Sequence, residues 1–97
     1  MAGVGEETPD FYTDQFVMSL SPYGVTCIFY LTSPEPPPPG QPPARKELVR
    51  LRMSLEHAKI MAMLMRRQLK DYENESGATI AIPFALYRDL DLSPDDW

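Results

Sequence analysis

The chain has 97 residues, 43% of them hydrophobic and 24% charged, with a net charge of -5, 11 prolines and one cysteine. That length supports one domain with a small core, a lone cysteine excludes an intramolecular disulfide and points to a reducing compartment, and the acidic balance disfavours a dedicated nucleic-acid binder. The opening residues carry no basic start followed by an apolar run, as an export signal would, and no apolar stretch approaches the roughly 20 residues that cross a bilayer, so the sequence reads as cytoplasmic with no membrane partner.

Residues 1–13, rich in Gly and Glu with Pro9, are expected to form a disordered N-terminal arm. From Asp14 the pattern turns to period two. Phe16, Met18 and Leu20 alternate with Gln15, Val17 and Ser19, which predicts a strand with one core face. Ser21-Pro22-Tyr23-Gly24 supplies a turn, with φ preset at Pro22 and a positive φ available at Gly24. A second strand follows, with Val25, Cys27, Phe29 and Leu31 on one face and Thr26, Ile28, Tyr30 and Thr32 on the other, completing a hairpin. Residues 33–44 are proline-rich and predict an extended loop between strands, because proline lacks the ladder donor and locks φ.

A third strand is expected over Glu47 to Met53, with Val49, Leu51 and Met53 toward the core and Arg50 and Arg52 away from it. Ser54 reads as the N-cap of a helix from Leu55 to about Glu75, stopped by Gly77. On that helix Ala58, Met61, Ala62, Met65, Leu69 and Tyr72 share one face. Ile60, Met63 and Leu64 point elsewhere and make the stretch apolar all round, so they are assigned to self-association with another subunit. Ile80 and Ile82 alternate up to Pro83 and predict a short fourth edge strand. The fold expected is therefore α+β: an antiparallel hairpin plus a third strand packed on one long α-helix, with the candidate edge strand, forming one domain over residues 14–83. Residues 84–97 follow as an extended C-terminal tail.

Charge is unevenly spread. Residues 45–74 hold eight basic groups against four acidic ones, and residues 84–97 hold one against four. In the tail the acids alternate with Phe84, Leu86, Tyr87, Leu90, Leu92 and Trp97, too many large apolar groups for a solvated tail. These six are assigned to docking on a partner surface, and Ser93-Pro94-Asp95-Asp96 resembles a helix start. Arg50, Arg52, Arg66 and Arg67 are candidate anion contacts. No catalytic, metal or cofactor residue is assigned. One His and one Cys cannot supply a zinc cluster, Cys27 sits in a strand interior, His57 has no evident nucleophile beside it, and no glycine-rich phosphate cradle is present.

The Ser21-Pro22-Tyr23-Gly24-Val25 turn between strands, and Leu51-Arg52-Met53-Ser54-Leu55-Glu56-His57-Ala58-Lys59 entering a helix that ends in Asp71-Tyr72-Glu73, resemble a small uncharacterised prokaryotic family built on a domain of unknown function. The resemblance covers about residues 14–77 and excludes the proline loop and the tail. It implies a fold and a prokaryotic cytoplasm, and it brings no mechanism. Three functions are weighed: a non-enzymatic, homo-oligomeric assembly subunit that also binds another protein; a nucleic-acid-binding regulator; and a holdase-like chaperone, the last by fold-level analogy with export chaperones.

Overall fold

The computed structural model describes residues 7–97, in the order β1 (Gln15–Ser21), β2 (Gly24–Thr32), β3 (Arg45–Met53), α1 (Leu55–Ser76) and α2 (Phe84–Asp89), with a closing 3-10 turn at Pro94–Asp96. This is the α+β class expected: a three-stranded antiparallel sheet in the order β1-β2-β3, one long helix and a short second one. The chain forms two compact units, one ending at Ile60 and one running from Met61 to Trp97, so the division falls inside α1.

The first unit is built on the hairpin. Ser21 pairs with Gly24 across the two-residue turn Pro22-Tyr23, and the Tyr23 N–H donates to Ser21 Oγ at 3.2 Å. Gly24 has φ 147°, and a Cβ placed there would lie 2.7 Å from the Met53 carbonyl oxygen, so both the backbone angle and the close approach of β3 require glycine. Register then sorts the side chains. Leu20, Met18 and Phe16 lie opposite Val25, Cys27 and Phe29, which in turn lie opposite Met53, Leu51 and Val49. One face of the sheet is apolar across all three strands. Arg52 opposite Thr26 and Arg50 opposite Ile28 occupy the other, as the alternation predicts.

Strand β3 starts at Arg45, two residues earlier than expected, and contains a bulge. Phe29 pairs with Val49, but Tyr30 pairs with Glu47, leaving Leu48 as an extra residue. The bulge solves a problem in the sequence. Strict alternation would put Glu47 on the apolar face with Val49, Leu51 and Met53. The extra residue turns it to the polar face, where its Oε1 accepts from the Arg50 guanidinium at 2.9 Å. That bond and the Glu47 charge raise the Arg50 pKa further.

The loop of residues 33–44 joins β2 to β3 without regular structure, as expected, and the Ser33 N–H donates to the Ala44 carbonyl at 2.8 Å to close it. Residues 1–6 of the expected N-terminal arm lie outside the described residues. The arm's end is tied down: Thr13 Oγ1 donates to the Tyr30 carbonyl at 2.6 Å, and the Asp14 carboxylate accepts from the Thr32 N–H at 2.9 Å. Ser54 caps α1 as predicted, its Oγ accepting from the His57 N–H at 3.0 Å. Gly77, at φ 71°, ends the helix and returns its N–H to the Glu73 carbonyl.

Two expectations for the second unit need correction. Ile80 and Ile82 form no strand; the Ile80 N–H, a donor that a ladder would use, is bonded to Glu73 Oε2 at 2.7 Å, and Pro83 lacks a donor altogether. The C-terminal segment is not extended either. Phe84 to Asp89 are helical, Asp91 takes a left-handed φ of 55°, and the predicted helix start at Ser93 gives a capping box and a single 3-10 turn.

Candidate protein-binding surfaces

Among the described residues only Val25 and Cys27 are buried, at 5% and 6% exposure, both on the central strand. The expected core face of β1 is open: Phe16, Met18 and Leu20 are 58%, 56% and 67% exposed. This differs from the sequence expectation because side chains stand perpendicular to the sheet and, in the first unit, the main neighbour of β1 is β2 beside it rather than a layer over that face. Phe11 and Thr13 join Phe29, Leu48, Val49 and Leu51 around a shallow hollow of about 220 Å³, and Ser21, Tyr23, Gly24 and Arg52 help line another of about 260 Å³. Cys27 is buried in the sheet and His57 is exposed in the first turn of α1.

Helix α1 buries none of its residues. The self-association candidates Ile60, Met63 and Leu64 are all exposed, Met63 most of all at 63%. Met61, Met65, Leu69 and Tyr72, the stripe expected to pack, are exposed too. Methionine suits such a surface because its unbranched thioether repacks at little cost.

The tail candidates divide. Trp97 is engaged within its own unit: its indole Nε1–H donates to Glu73 Oε1 at 2.9 Å, its main-chain oxygen accepts from Arg66 Nε at 2.7 Å, and the Lys70 ammonium lies 5.3 Å from its ring centroid. The Ile80 N–H, the Trp97 indole and nearby Lys70 hold the Glu73 carboxyl below the usual carboxylate range. Trp97, expected to anchor a partner, is thus clasped to α1 of its own unit while keeping 39% of its surface exposed. Tyr87 is half-buried, whereas Phe84, Leu86, Leu90 and Leu92 remain exposed, Phe84 at 83%.

The candidate anion contacts divide in the same way. Arg50 is paired with Glu47 and Arg66 is held by Trp97, while Arg52 and Arg67 make no ion pair among the described residues. Two features escaped the sequence reading. The clasp depends on Glu73 and Trp97, which are 24 residues apart and linked by no local pattern. The open edge of β1 had a visible signal: no charged residue and no proline occurs between Gln15 and Ser21.

No helix among the described residues is long and apolar enough to cross a membrane. No family model, curated protein or solved structure matches the chain.

Proposed function

We propose that this chain is a non-enzymatic assembly subunit that associates with further copies of itself and binds another protein through its C-terminal segment. The observation that carries the reading is the small amount of burial. Among the described residues, two buried ones stand against many exposed large apolar side chains on the sheet, on α1 and on the tail. Soluble monomers seldom leave contiguous apolar patches of this kind, and interfaces between subunits cover them. On α1 the self-association surface is Ile60, Met63 and Leu64. On the tail the docking surface is Phe84, Leu86, Leu90 and Leu92, spaced by acidic residues that set the charge of a complementary partner surface. The resemblance to a small prokaryotic family, together with a lone free cysteine, supports a prokaryotic cytoplasmic setting.

Light scattering on the full chain tests this reading. The expected mass at micromolar concentration is at least twice 11.0 kDa, falling on Ile60→Glu with Leu64→Glu. A monomer at every concentration, with a mass and solubility the double variant does not change, would sink it. Nucleic-acid binding is the second reading, favoured by Arg52 and Arg67, which make no ion pair among the described residues. It requires affinity for a short duplex or single strand that falls steeply with salt.

A further inference from the structure

The sheet has two outer edges, and they are built differently. On β3 the edge carries Arg45, Lys46, Arg50 and Arg52 and is broken by the bulge at Leu48, both devices that keep other strands from adding to a sheet. On β1 the sequence from Gln15 to Ser21 has no charge, no proline and no break in register. Its outward peptide groups can be assigned. A two-residue turn closes on a hydrogen-bonded pair, here Ser21 and Gly24, and bonded and non-bonded pairs alternate along an antiparallel ladder. Ser19, Val17 and Gln15 therefore spend their N–H and C=O groups on β2. Leu20, Met18 and Phe16 turn theirs outward, and these same residues carry the three most exposed apolar side chains of β1.

We infer that β1 is the seat of a second copy of this chain, added antiparallel with the two-fold axis at Met18 to make one continuous six-stranded sheet. The strand is self-complementary in that register. Met18 meets the second copy's Met18, Phe16 meets its Leu20 and Val17 meets its Ser19, so Phe16, Met18 and Leu20 of both copies share one face and no like charges meet. Each outward N–H and C=O of Phe16, Met18 and Leu20 finds a partner, which addition at any odd register would deny. The alternatives on this sheet fail on charge or closure. Two β3 edges would bring their cations together. A β1 edge on a β3 edge is head-to-tail and leaves a free edge at each end, the geometry of a filament rather than a closed pair. The inference rests on the assembly reading above and specifies where on the sheet the second copy sits.

Residue-resolved amide hydrogen exchange on the full chain, at a concentrated and a dilute condition, tests it alongside light scattering. The amides of Phe16, Met18 and Leu20 should exchange about tenfold or more slowly in the concentrated sample, while those of Val17 and Ser19, already bonded to β2, should change little. Met18→Lys, which sets two cations against each other at the axis, should abolish the concentration-dependent protection of the Phe16 and Leu20 amides with unchanged sheet circular dichroism, whatever association α1 still supports. Met18→Pro, which removes an outward donor and no ladder bond to β2, should do the same. A dimer whose Phe16, Met18 and Leu20 amides exchange equally at both concentrations places the second copy elsewhere, overturning this inference and leaving the assembly reading intact. A monomer throughout overturns both.

Discussion

Trp97 donates its indole N–H to Glu73 at 2.9 Å, joining the last turn of the chain to the last turns of α1. The other oxygen of the same carboxylate accepts from the Ile80 N–H at 2.7 Å, so one side chain holds both the exit from the helix and the end of the tail. Arg66 and Lys70 supply positive charge beside the same ring, at 5.8 Å and 5.3 Å from its centroid.

This clasp should depend on pH. The Glu73 pKa is lowered from its ordinary 4.5, chiefly by the Ile80 N–H and then by the Trp97 indole. A lowered carboxyl pKa in the folded state contributes stability that is complete above the unfolded value and is lost as pH falls through the folded one. The emission of Trp97, the only tryptophan, should hold steady down to about pH 4.5 and shift to the red below it. Glu73→Gln should give the loosened spectrum at neutral pH and remove this transition. An unchanged titration in the variant would assign the transition to another carboxylate.

Within the C-terminal segment, Phe84 and Trp97 should behave oppositely. Phe84 is 83% exposed, so Phe84→Ser should leave thermal stability within about 0.5 kcal/mol. Trp97→Ala should speed amide exchange across residues 84–97 without unfolding the sheet. If Phe84→Ser were the more disruptive of the two, the division of the tail into a clasp and a docking surface would fail.

Gly24→Ala places a methyl 2.7 Å from the Met53 carbonyl oxygen at a φ of 147°. Strain of this kind costs on the order of 1–3 kcal/mol, and the midpoint of thermal unfolding followed by circular dichroism should fall accordingly. An unchanged midpoint would mean that the hairpin and β3 approach less closely than the structure has them.

The proline loop should prove dispensable to the fold. Ser33 and Ala44 already bond across its base at 2.8 Å. Replacing residues 34–43 with a short Gly/Ser turn alters closure entropy by about 1 kcal/mol or less. A cooperative unfolding transition should survive, and its loss would show that the prolines pack against the sheet.

The sheet and α1 were legible because their signals are local: period-two alternation from Phe16 to Leu31, the Ser54 cap, the glycines at 24 and 77, and the Ser93 capping box. What was not legible depends on contacts distant in sequence. Ile80 and Ile82 alternate like a strand, but the Glu73 carboxylate claims the Ile80 N–H. Residues 84–97 as a whole suggest an extended tail, yet Ala85, Leu86 and Arg88 are good helix formers directly after Pro83. Phe16, Met18 and Leu20 carry a core pattern, and alternation alone cannot tell whether a second layer covers that face.

The bulge at Leu48 divides β3 into two reading frames. Toward Met53, odd-numbered positions point to the apolar face; toward Arg45, even-numbered Lys46 does, opposite Leu31. Loss of one residue at 48 would transpose Arg45, Lys46 and Glu47 between faces and detach Glu47 from Arg50, whereas several residues could be lost from the loop a few positions earlier at little cost. Length variation in related chains is thus expected to collect between residues 34 and 43 and to stop sharply before the strand, so that the loop absorbs insertions while the spacing from Arg45 to Met53 stays constant.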